Sequence, residues 1–98
     1  MIVRIVKMVF KPEQVNDFLD VFENSKEKIR GFKGCMHLEL LQEKAKGNTF
    51  FTYSYWENEN YLEDYRNSEL FKATWAKTKV LFNAKPEAWT VHKAYELP

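Results

Sequence analysis

Residues 50–75 read FFTYSYWENENYLEDYRNSELFKATW, and the change of ring spacing inside this stretch decides the fold. Phe50 to Trp56 alternates with period two, placing Phe51, Tyr53 and Tyr55 on one face of a strand and Phe50, Thr52, Ser54 and Trp56 on the other. Both faces carry rings, so both need cover. From Asn58 the period becomes helical. Asn58 suits the N-cap of a short helix running to Asn67, with Glu57 and Glu59 complementing its positive end. Ser68 suits the cap of the next helix, in which Phe71, Trp75, Thr78 and Phe82 form one stripe. Pro86 then forces a stop.

Working outward, Ile2 to Phe10 is rich in β-branched and aromatic residues and apolar except at Arg4 and Lys7, the pattern of a strand covered on both faces. Pro12 suits a first helical turn, and Val15, Phe18, Leu19, Phe22 and Ile29 then recur at helical spacing, predicting an amphipathic helix of about five turns. Gly31 and Gly34 end it. Cys35 to Gln42 reads as the second strand, with Cys35, His37, Glu39 and Leu41 on one face, and Ala45 to Thr49, tipped by Gly47-Asn48, predicts a hairpin turn. Trp89 to Tyr95 alternates as a last strand, with Trp89, Val91 and Tyr95 opposite Thr90, His92 and Ala94. The order is strand, helix, strand, strand, helix, strand. That is the ferredoxin-like βαββαβ pattern of the α+β class, an antiparallel sheet with helices on one face. With helices on one face, the natural cover for the other is a second copy of the chain.

Ninety-eight residues, 45% of them hydrophobic, suffice for one core and predict a single domain over residues 1–98. Aromatic residues make up 16% of the chain, so rings must bury much of the area. The formal net charge of +1, with acidic and basic residues interspersed, gives no field to attract nucleic acid or an anionic membrane. The single cysteine, Cys35, cannot form an internal disulfide, and no apolar run approaches the roughly 20 residues of a membrane span. These features, with no leader-like amino-terminal segment, predict a cytoplasmic protein.

The strings VRIVKMVFKPEQVNDF, GFKGCMHLELLQ and YWENENYLEDYRNSELFKATW together resemble the antibiotic biosynthesis monooxygenase family, quinol monooxygenase-like members included. The last is the most specific, with the Trp56-Glu57 pair at a strand end, the helical Leu62, and the Ser68, Phe71, Lys72 step. The resemblance implies a dimeric α+β barrel, and an oxygenase that needs no metal or flavin because a quinol or polyphenol anion itself reduces oxygen. The chain departs from the family where Tyr65 and Leu70 stand at two positions that many members fill with histidine. Relatives that degrade haem use an asparagine, a tryptophan and a ligating histidine at positions that fall here on Val6, Tyr65 and Trp75, and tryptophan does not ligate iron.

Two histidines are candidate bases, His37 on the second strand and His92 on the last, since imidazole titrates near neutral pH. A lone strand histidine is more often a surface or subunit-interface residue. Cys35, His37 and Glu39 at period two project in a row about 6.5–7 Å apart, too splayed for one ion, so no metal site is expected, and the resemblance implies no other cofactor. Tyr53, Tyr65, Phe71, Trp75 and Phe82 are expected to line a pocket between the sheet and the later helices; the alternative is that they are simply core. Arg66, about 100° around the helix from Tyr65, is expected in solvent. Two functions fit these residues. One is a cofactor-independent monooxygenase acting on a small electron-rich aromatic; the other is a non-enzymatic dimeric ligand-binding or stress-related module of the same fold.

Overall fold

A computed structural model describes all residues, Met1–Pro98. The chain forms strand β1 (Ile2–Val9), a single 3-10 turn (Pro12–Gln14), helix α1 (Val15–Arg30), strands β2 (Cys35–Gln42) and β3 (Thr49–Trp56), helices α2 (Glu59–Arg66) and α3 (Glu69–Lys79), and strand β4 (Glu87–Val91). The four strands make one antiparallel sheet in the order β2-β3-β1-β4, so the α+β, ferredoxin-like expectation holds. No helix is long and apolar enough to cross a membrane.

Local chemistry sets the boundaries. Lys11 precedes a proline and is held extended at φ −60°, ψ 132°, so β1 ends before the 3-10 turn begins. Asn58 caps α2 by accepting from the Tyr61 amide at 3.1 Å, and Ser68 caps α3 by accepting from Phe71 at 3.1 Å. Ser68 also donates to the Tyr65 carbonyl at 2.6 Å, which ties the end of α2 to the start of α3. Gly34 turns the chain into β2 with φ +92°, and a Cβ there would lie 2.3 Å from Tyr61. Only glycine allows that backbone shape with α2 packed so close.

The register fixes the faces. β1 pairs with β3 as Arg4↔Ser54, Val6↔Thr52 and Met8↔Phe50, and with β4 as Arg4↔Thr90 and Val6↔Ala88. Directly opposed residues share a face, and these even-numbered positions face the helices. Met8, Phe10, Phe18 and Phe50 form one buried cluster, and Cys35, Trp56 and Leu62 a second. Phe10, Phe50 and Trp56 are at most 1% exposed, and burying one such ring is worth about 1.5–3 kcal/mol. The odd-numbered face has no helix over it. It presents Ile5, Phe51, Tyr53, Tyr55, Trp89 and Val91, the last two about four-tenths exposed at 43% and 41%.

Three sequence expectations change. Cys35 and His37 do not share a face, because an irregularity between them pairs Cys35 with Trp56 but His37 with Tyr55. One extra residue in one strand flips every side chain on one side of it. The last strand covers Glu87–Val91 rather than Trp89 to Tyr95, since β1 offers partners only from Val3 to Lys7. Helix α3 stops at Lys79, so Phe82 leaves the helical stripe and pairs by an isolated bridge with Phe10.

Candidate functional site

Between the even-numbered face and the helices lies a cavity of about 320 Å³, the low end of the range of about 300–1,000 Å³ that small-molecule sites occupy. The sheet supplies its floor through Val6, Met8, Thr52, Ser54 and Trp56, with Leu38 and Ala88 at the flanking strands. Helices α2 and α3 supply the roof through Leu62, Tyr65, Phe71, Thr74, Trp75 and Thr78.

A run of touching rings follows this roof. Trp56 stacks on Tyr65 with centroids 5.0 Å apart, Tyr65 meets Phe71 edge to face at 5.3 Å, and Phe71 stacks on Trp75 at 5.8 Å. These separations are those of favourable aromatic pairs. The rings sit together because the Asn58 and Ser68 caps start two helices in succession, each turning its ring-bearing side to the sheet. Polar groups are few and mostly satisfied within the chain. The Trp56 indole donates to Ser54 Oγ at 3.0 Å, and Thr78 Oγ1 donates to the Thr74 carbonyl at 2.8 Å. A flat aromatic guest therefore meets π-faces and a few hydroxyls.

The structure brings together three of the five residues expected to line a pocket, namely Tyr65, Phe71 and Trp75. Phe82 packs behind them, 5.5 Å from Trp75 and 5.3 Å from Phe10. Tyr53 lies on the opposite side of the sheet. It pairs with Ile5 and Glu39, and its hydroxyl is 3.4 Å from that of Tyr55. Its position is set by parity: Thr52 and Ser54 point to the helices, so Tyr53 cannot.

Neither histidine reaches the cavity. His37 is on the odd-numbered face, hydrogen-bonded through Nε2 to Glu39 and packed 4.9 Å from the Tyr55 ring. His92 lies in exposed chain just beyond β4. Cys35 is buried beside Trp56 and Leu62, and burial pushes its thiol up, which disfavours the nucleophilic thiolate. With Cys35 on one face and His37 and Glu39 on the other, no three side chains of metal-binding type converge.

Among the lining residues not expected from the sequence are two arginines. Arg4 reaches the cavity from β1, and Arg66, exposed as expected, borders it from the last turn of α2. Arg66 is 45% exposed at its side chain and lies 3.5 Å from Glu63. The signal for Arg4 was present, since an arginine at an even position of a strand covered on both faces points inward.

Burial is the chief cause that raises the Tyr65 phenol far above its ordinary range, with nearby Cys35 a lesser one. Its hydroxyl therefore stays protonated and keeps the capacity to donate a hydrogen bond. In the unfolded chain the same phenol ionises near pH 10. Below that pH both states hold the proton and the stabilising contribution is complete. Above it the unfolded state loses the proton while the native state keeps it, so stability falls by up to about 1.4 kcal/mol per pH unit from this group. Denaturant melts between pH 9 and 11 should show a shallower alkaline loss in Tyr65→Phe than in the parent chain. Equal slopes would contradict the burial of that phenol.

A family model described as antibiotic biosynthesis monooxygenase matches residues 1–77. The solved structures similar to this chain include the crystal structure of an antibiotic biosynthesis monooxygenase. It is 17% identical with a TM-score of 0.91, over 97% of this chain and 100% of that one. A conserved protein from Methanosarcina mazei Go1 is 22% identical with a TM-score of 0.88, covering 95% of this chain and 93% of its own. A Mycobacterium tuberculosis protein is 14% identical, also at 0.88, covering 99% and 98% respectively. At these identities the structures establish a shared fold, and the family model, which spans most of the chain, establishes the lineage. This protein belongs to the antibiotic biosynthesis monooxygenase family.

Proposed function

We propose that this protein is a cofactor-independent monooxygenase for a small electron-rich aromatic, a quinol or polyphenol. The observation that carries the reading is the cavity of about 320 Å³ walled by Trp56, Tyr65, Phe71 and Trp75. A quinol that loses a proton can pass an electron to oxygen; recombination forms a carbon–oxygen bond, and loss of water leaves a hydroxyquinone. One oxygen atom stays in the product, the other leaves as water, and the substrate supplies all four electrons. The protein's share is to stack the ring, limit water and hold the reacting carbon open to oxygen. In this reading Tyr65, kept neutral by burial, donates to a substrate oxygen.

The reverse reading, a binding module of the same fold without chemistry, is favoured by one feature. The lining contains no histidine, and its one carboxylate residue, Glu87, is opposite Lys7 in register, so its side chain leaves from the other face. Dissolved-oxygen consumption over a panel of quinols separates the two. The monooxygenase reading expects uptake above a boiled control with at least one quinol. It also expects a loss in Tyr65→Phe larger than the roughly 0.5–1.5 kcal/mol that one hydroxyl's hydrogen bond contributes to stability. Binding without oxygen uptake across the panel would leave the module.

We further infer a homodimer in which two odd-numbered faces pack together as an α+β barrel, located in the cytoplasm. The support is the uncovered row that includes Leu41, Trp89 and Val91, together with a single buried cysteine that needs no oxidising compartment. An interface of about 2,000 Å² is expected for an obligate pair. Sedimentation at micromolar concentration should give twice the chain mass of 11.8 kDa; a stable monomer would refute the pairing.

A further inference from the structure

One end of the cavity carries two arginines, Arg4 and Arg66. Arg4 stands on the even-numbered face of β1, flanked across the ladders by Ser54 and Thr90. Its Nη1 donates to Thr90 Oγ1 at 2.8 Å, and it enters none of the chain's ion pairs. A guanidinium has five N–H donors and stays charged in proteins, so most of this group's donor capacity takes no partner within the chain. It is only partly exposed, and removing a cation from water without a partner is costly.

The surroundings add positive charge. Burial chiefly disfavours the charged form of Arg4, Arg66 on the same cavity disfavours it further, and Glu63 favours it by a lesser amount. Glu63, which lies 3.5 Å from Arg66, is 62% exposed, so that pair is open to solvent screening. The Glu87 side chain leaves from the far face beside Lys7. Trp56 borders Ser54 and stacks on Tyr65, so an aromatic surface begins beside the Arg4 position.

We propose that the ligand of this cavity is a flat aromatic bearing a carboxylate, with the carboxylate held by Arg4, supported by Arg66, and the ring held against Tyr65, which Trp56 backs. The inference rests on the reading of this cavity as an aromatic-ligand site and specifies its substrate class. A planar guanidinium matches a carboxylate in two parallel hydrogen bonds, which a point charge cannot do.

Isothermal titration calorimetry with 2-naphthoate and 2-naphthamide tests it, since the two differ in charge and hardly in shape. The whole protein should bind the naphthoate about tenfold or more tightly than the amide, as a charge-assisted pair in a partly dry site requires. Arg4→Gln should bring the two affinities within about twofold of each other, and Arg66→Gln should reduce the preference only in part. Equal binding of both compounds by the parent protein would overturn the carboxylate assignment while leaving the aromatic site standing. Binding of neither would overturn the site itself. A preference that survives in folded Arg4→Gln would overturn the role of Arg4, and the comparison in the parent protein decides the ligand class should that variant not fold.

Discussion

Everything in this molecule depends on the antiparallel register between the two central strands, β1 and β3. Setting Met8 against Phe50 and Ile2 against Trp56 fixes which member of each neighbouring pair of residues meets the helices. A shift of one residue would carry Phe50 and Trp56, both nearly fully buried, to the side that no helix covers. The cost of exposing those rings, about 1.5–3 kcal/mol each, is a sizeable share of the 5–15 kcal/mol by which domains are stable. The same choice sends Arg4, Thr52 and Ser54 into the cavity and Tyr53, Tyr55 and His37 away from it.

The cavity survives inside a packed fold because its walls are stiff. Rings stacked at 5.0–5.8 Å support one another from Trp56 to Trp75, and the hydroxyls of Ser54 and Thr78 are occupied by neighbours in the chain. The consecutive caps at Asn58 and Ser68 place α2 and α3 as two short struts over the sheet. A single longer helix would carry its apolar stripe on one straight line and could not wrap the rings around a space.

Most of the fold was legible in the sequence. The strand and helix order, both caps, the hairpin glycine and the chain's family follow from spacing, turn chemistry and a few strings of residues. What stayed hidden depends on pairing. The irregularity between Cys35 and His37 has no signature in composition, yet it decides that Cys35 joins the core while His37 does not. The length of β4 is set by the residues its partner strand offers. Tyr53 was readable, since its odd number separates it from Thr52 and Ser54, but its ring and hydroxyl resembled those of a pocket residue. Arg66 is exposed as its place on the helix suggests, yet a long flexible side chain can still border a cavity mouth, which angular position alone does not reveal.

The claim that ligands enter on the helix-covered face, and nowhere on the open one, is tested most directly by the indole N–H signals of the chain's three tryptophans. Trp56 and Trp75 line the cavity, whereas Trp89 pairs with Ile5 on the odd-numbered face. In a two-dimensional nitrogen–proton spectrum recorded during titration with 2-naphthol, the Trp56 and Trp75 signals should move together while that of Trp89 stays in place. Movement of Trp89 alone would put the ligand on the wrong side of the sheet and contradict the account.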